Sequence, residues 1–230
     1  MNTLIALSVF IAAPMTAFAG GELEKPEAFY IEECNTKHNA GACVTMAEQT
    51  VCGVGFNDKT AVYMKKACAN HVYNCEQGNG AACTAKAECQ ISCLDWRAYW
   101  DSDPLLWPQT EMSGCHMSMT LPGESKAEQT NAGILLALES LTTACEKNDA
   151  HGCFVLGWAA MTEDVAKPEQ GKQALQKSCD MKVAAACLML SNHLKTDAQS
   201  LRDRACSMKT SESGLAADFR SWIRESCNKQ

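Results

Sequence analysis

Apolar positions along this chain recur at helical intervals. Ile134, Leu138, Leu141 and Cys145 fall at i, i+4, i+7 and i+11, one stripe on one helix face. Leu215, Phe219, Trp222 and Cys227 form a second stripe near the end. Runs that alternate apolar and polar residues, as half-buried strands do, are scarce. The pattern therefore predicts an all-α protein. Short breakers, Gly78-Asn79-Gly80 and Asn148-Asp149, interrupt the helical stretches and mark turns.

The cysteines sharpen this picture. Four close pairs, Cys34/Cys43, Cys75/Cys83, Cys145/Cys153 and Cys179/Cys187, are separated by 9, 8, 8 and 8 residues. The residue before each second cysteine is small (Ala42, Ala82, Gly152, Ala186), and so is the residue four later (Ala47, Ala87, Gly157, Ser191). Small residues one turn apart let another helix approach closely. The pairs also recur: Cys145 to Cys179 and Cys153 to Cys187 are both 34 residues, and Cys75 to Cys145 is 70, twice 35. A period of this size belongs to helix-turn-helix repeats.

Geometry fixes what such a pair must do. On one continuous helix, positions eight apart lie about 12 Å from each other. A disulfide needs Cα atoms within roughly 7 Å. Each bridge therefore demands a chain reversal, with the first cysteine closing one helix and the second opening the next. Each short staple contributes about 2.5 kcal/mol in the chain-entropy picture.

The strings ACEKNDAHGCFVLGWAAM and SCDMKVAAACLML resemble Sel-one-like (SLR) repeats, relatives of tetratricopeptide repeats, in their cysteine-rich secreted bacterial branch. NCEQGNGAACTAKAE fits the same pattern, and ECNTKHNAGACVTMAE fits it with one extra residue. The resemblance covers about 126–227 well and 30–93 in part. It implies an α/α superhelical solenoid stapled by disulfides, with a concave surface for a protein, a peptide or a cell-wall-derived ligand. Members of that branch have been described as penicillin-binding proteins or weak β-lactamases, others as scaffolds. The expected organisation is a signal peptide at 1–19, cysteine-rich repeats at 20–93, an irregular Trp- and Pro-containing segment at 94–125, and Sel-one-like repeats with a capping helix at 126–230.

Composition bears on location and partners. Residues 4–13 (LIALSVFIAA) form a short apolar run, and Ala17-Phe18-Ala19 follows as an A-x-A cleavage site. That is the layout of a cleavable secretory signal and is too short to span a bilayer. An exported chain, periplasmic or secreted, meets an oxidising compartment, where its 15 cysteines are expected to pair. The net charge of −7, from 27 acidic and 20 basic residues, argues against a nucleic-acid partner. No later run is apolar enough for a membrane span.

Cysteine bookkeeping then places Cys206–Cys227 in the C-terminal cap. It suggests Cys52–Cys68 and Cys93–Cys115 less firmly, which leaves Cys89 over. An odd thiol in an exported chain points to a reactive cysteine or a disulfide-linked dimer.

Chemistry is sparse. Ser226-Cys227-Asn228-Lys229 matches S-x-x-K, but the companion β-lactamase elements S-D-N and K-T-G are missing. Cys68-x2-His71-x3-Cys75 has zinc-like spacing, although bridged cysteines cannot serve it. Met112, Cys115, His116, Met117 and Met119 concentrate soft ligands suited to Cu(I). No haem or nucleotide motif is present, and neither a catalytic residue nor a resident metal or cofactor is expected. The compositional outlier is 94–110, where Trp96, Arg97, Tyr99, Trp100 and Trp107 gather. These are hot-spot residue types, so the stretch is either a partner-binding surface or packing that replaces a repeat helix.

Overall fold

The computed structural model describes residues 23–54, 58–100, 126–161, 167–194, 197–208 and 217–228. Among them are ten α-helices and no strand: α1 (Glu27–Thr36), α2 (Ala40–Val54), α3 (Asp58–Glu76), α4 (Gly80–Trp100), α5 (Lys126–Glu146), α6 (Ala150–Ala160), α7 (Pro168–Asp180), α8 (Ala184–His193), α9 (Ala198–Ser207) and α10 (Ala217–Asn228). The all-α expectation holds. The expected signal peptide at 1–19 lies outside the described residues. One boundary moves: α4 runs on through Trp100, so 94–100 is helical and not irregular. Pro104 lies four residues beyond, and a proline disfavours helix at the residue before it.

Four tight corners give the fold its form, and three are built alike. After Cys75 the chain reaches Gly78 with φ 97°. The Gly78 N–H donates to the Cys75 carbonyl at 2.9 Å, and the Asn79 N–H donates to the Asn74 carbonyl at 3.0 Å. This pair of bonds is a Schellman ending, which satisfies helix carbonyls that would otherwise lack partners. Asn79 then opens the next helix, its Oδ1 accepting from the Ala82 N–H at 3.2 Å. One residue thus ends α3 and caps α4. The corner at Asn148-Asp149 repeats this, with Asn148 at φ 61° and the Asp149 carboxylate accepting from the Gly152 N–H at 2.7 Å. At Lys182-Val183 the backbone bonds are the same, but Lys182 adopts φ 70° and Val183 offers no side-chain cap.

The first corner carries the extra residue that the nine-residue spacing implies. His38 takes the left-handed conformation at φ 53°, and the Asn39 N–H reaches back to the Glu33 carbonyl at 3.1 Å. Asn39 Oδ1 still caps the next helix through the Ala42 N–H at 3.1 Å. With both ends fixed, the two cysteines of every corner stand 4.4–4.9 Å apart at Cα and are bonded.

The chain forms two compact units, whose boundary between Ala137 and Leu138 falls inside α5. In the N-terminal unit α1 to α4 pack in succession, and α1 also packs on α3. In the C-terminal unit α6 to α9 pack in succession, α6 also touches α8, and α10 packs on α8 and α9. The small residues flanking the second cysteines, Ala42, Ala47, Ala82, Ala87, Gly152, Gly157, Ala186 and Ser191, are all buried.

Helix α6 is buried along nearly its whole length, from Gly152 to Gly157 and again at Ala159 and Ala160. A helix apolar all round has neighbours on several sides. Helix α7 is one-sided, burying Gly171, Ala174, Leu175, Ser178 and Cys179 at helical spacing. It approaches α6 so closely that a Cβ at Gly157 would stand 2.6 Å from Leu175 Cγ and 2.9 Å from the Leu175 backbone nitrogen.

Candidate functional site

Helix α3 organises the N-terminal unit, and its sequence serves three faces. Tyr63, Ala67, Asn70 and Asn74 share one, at i, i+4, i+7 and i+11, directed at the corner between α1 and α2. Tyr63 and Ala67 pack with Tyr30, Cys34, Ala42 and Cys43. Asn70, 6% exposed, donates through Nδ2 to the Cys34 carbonyl at 2.9 Å. Its Oδ1 takes a hydrogen bond from His38 Nδ1 at 3.2 Å. Asn74 Nδ2 donates to the His38 carbonyl at 2.9 Å. Two amides, Asn70 buried and Asn74 half-buried, therefore hold the one corner that has an extra residue.

Cys68, His71 and Cys75 make the second face, turned to α4. Cys68 is bonded to Cys89, and Cys75 to Cys83. Burial lowers the His71 pKa from its ordinary value, with the Glu88 carboxylate acting the other way. His71 is therefore a neutral imidazole at neutral pH. The zinc-like Cys68/His71/Cys75 spacing is occupied by two disulfides, which leaves no thiolate for a metal.

The third face points outward and carries Val62, Lys66, Ala69 and Tyr73 at i, i+4, i+7 and i+11. Val62 is 49% exposed and Tyr73 42%. The Tyr73 ring stacks on His38 at 4.0 Å between centroids. Lys66 Nζ donates to Asn35 Oδ1 at 2.6 Å and lies 5.9 Å from the Tyr63 ring centre. The row joins apolar, aromatic and cationic groups on a helix held by two disulfides. Sequence reading missed it, because the three interleaved faces of α3 blur any single stripe. The signal was present as Val62, Lys66 and Tyr73 at one helical phase, outside the positions that the cysteines assign to α4.

The expected sites divide as follows. The structure joins the four corner pairs and Cys206–Cys227. It corrects the suggested Cys52–Cys68 bond. Cys68 pairs with Cys89, a partner across two antiparallel helices, so Cys89 is not left over. Cys52 and Cys93 stand on α2 and α4, but their side chains, and all of Cys115, lie outside the described residues. Three cysteines cannot pair evenly, so at least one has no partner within the chain.

Trp96, Arg97, Tyr99 and Trp100 sit on the last turns of α4 with side chains outside the described residues, as is the whole of Trp107. Ser226 stands on α10 beside the bonded Cys227, while Lys229 is outside the described residues, as are Met112, Cys115, His116, Met117 and Met119.

Among the described residues no group of three His, Cys, Asp or Glu is placed to hold a metal ion. No described helix is long and apolar enough to cross a membrane. No protein-family model, no curated protein and no solved structure matches the chain.

Proposed function

We propose that this protein is an exported, disulfide-stapled α/α superhelical scaffold of the Sel-one-like kind, which holds a protein or peptide partner in the bacterial envelope without acting on it chemically. The observation that carries this reading is the outward row of α3. Val62, Lys66 and Tyr73 present contact area on a helix whose rotation is fixed by Cys68–Cys89 and Cys75–Cys83. Rigid presentation lowers the ordering cost of binding. The repeated corners support the superhelical reading, since a unit that recurs with the same backbone bonds stacks with the same rotation each time. The 94–110 stretch supplies a second candidate contact, with Trp96, Arg97, Tyr99, Trp100 and Trp107 as its contact residues.

The test is comparative capture from the native envelope, followed by mass spectrometry. Val62→Ser with Tyr73→Ser should weaken capture of a specific partner by about tenfold, and Val62→Ser alone, which leaves the Tyr73–His38 stack in place, should weaken it in part with the melting temperature nearly unchanged. Equal capture by the double variant would remove α3 as the contact surface. Turnover of a chromogenic cephalosporin that survives purification and vanishes in a point variant would replace the scaffold with a hydrolase. Stoichiometric Cu(I) retention lost on replacing Met117 and Met119 would replace it with a copper carrier.

A further inference from the structure

The six described disulfides fall into two kinds. The eight corner cysteines are at most 7% exposed, and each bond closes a loop of 8 or 9 residues around a reversal already fixed by backbone hydrogen bonds. Cys68–Cys89 and Cys206–Cys227 are different. All four of their cysteines are partly exposed, and each bond clasps two neighbouring helices across a separation of 21. A thiolate must reach sulfur to exchange with it, so accessible bonds react first.

The two clasps also differ from each other. Helices α3 and α4 remain joined by Cys75–Cys83 if Cys68–Cys89 opens. Helices α9 and α10 have no second described bond. Helix α10 is 12 residues long, a length at which a helix detached from its neighbours is marginal in water. Ile223, 3% exposed, is the one buried side chain among its described side chains at 222–228, with further contacts from Trp222, Arg224 and Glu225.

We propose that Cys206–Cys227 is a redox latch. A dithiol donor passes two electrons and two protons to this bond, which opens to two thiols as the donor closes its own disulfide. Helix α10 then leaves α8, and the rest of the chain keeps its fold because the corner bonds stay shut. A disulfide-bearing oxidant takes the two electrons and two protons back, is itself reduced to a dithiol, and the re-formed Cys206–Cys227 bond reseats the helix.

The experiment uses the full mature chain, titrated with dithiothreitol without denaturant, with free thiols alkylated and located by peptide mass spectrometry. Amide exchange is followed in parallel. Cys206, Cys227, Cys68 and Cys89 should be alkylated at about tenfold lower reductant than the corner cysteines. Exchange should rise within 217–228 and stay unchanged within 80–90. Alkylation of corner cysteines together with Cys206 and Cys227 overturns the proposal, and so does an α10 that keeps its protection after reduction. The variant Cys206→Ser with Cys227→Ser should show the same exposed α10 without reductant. If that variant fails to fold, the titration of the natural chain decides alone.

Discussion

The two units of this molecule use one covalent framework and fill it differently. Around Cys34–Cys43 the helices are held by polar side chains: Asn70 on the Cys34 carbonyl, Asn74 on the His38 carbonyl and Lys66 on Asn35. Around Cys145–Cys153 and Cys179–Cys187 they are held by shape. Gly157 lets Leu175 lie against the α6 backbone, and Leu141, Leu175 and Leu190 are fully buried. A common device survives the difference. The carbonyl of the first corner cysteine accepts from a side chain of a later helix, Asn70 for Cys34, Lys177 for Cys145 and Arg204 for Cys179. In the C-terminal unit that donor is a cation at a helix C-terminus, where the macrodipole favours positive charge. The disulfide and its corner thus set the geometry, and the interface between helices is free to be wet or dry.

The largest test of the dry interface is Gly157→Val. Even a methyl group would meet the Leu175 side chain and backbone, and a backbone cannot step aside like a rotamer. The expected loss is about 3 kcal/mol, read as a lower urea midpoint for the C-terminal unit. A loss below about 1 kcal/mol would show that α6 and α7 slide apart freely and that their contact does not define the unit. The matching test of the polar interface is Asn70→Asp. The acceptor for His38 remains, the donor to the Cys34 carbonyl goes, and a buried charge arrives. About 2 kcal/mol should be lost, with faster amide exchange at 34–43 and no change at 145–153.

The contrast also shows what a sequence can carry. Corners are local: a left-handed residue, a capping Asn or Asp and a cysteine four later fall within six positions, so Gly78-Asn79 and Asn148-Asp149 announce the reversals directly. Cys68–Cys89 is not local, yet its signal existed. Once Cys75 and Cys83 are placed across a corner, counting back along α3 and forward along α4 brings Cys68 opposite Cys89. The outward row of α3 was harder still. Its residues are ordinary in composition, and only knowing which two other faces are occupied identifies the third. The 94–110 stretch is the reverse case: its composition stands out, but composition carries no register.

A smaller effect isolates the corner itself. Asp149 caps α6, whereas Val183 in the equivalent position of the next repeat gives α8 nothing. Val183→Asp should stabilise the C-terminal unit by about 1 kcal/mol, and Asp149→Ala should cost about as much. Melting curves of the two variants, measured against the parent, would then move in opposite directions by similar amounts. If Val183→Asp destabilises instead, burial of the valine outweighs the missing cap, and the corners are less equivalent than their backbone bonds suggest.

The smallest expected effect is a pH slope confined to the wet unit. His71 is held neutral by burial, so its folded pKa lies below the ordinary value of 6.5. The unfolded chain then binds more protons than the folded one between those two values. Stability is full above about pH 6.5, falls as the pH drops through the window, and levels off once the folded group is itself protonated. The nearby Glu88 carboxylate opposes the burial effect and narrows the window. His71→Gln removes the titration and keeps a polar side chain of similar reach. Protection factors at 68–90, with the intrinsic pH dependence of exchange divided out, should fall in the parent between pH 7.5 and pH 5.5 and stay level in the variant, while those in α7 and α8 follow one course in both proteins. An equal fall in the variant would transfer the slope to other groups. His71 would then be a spacer between α3 and α4, and the two units would differ in packing alone.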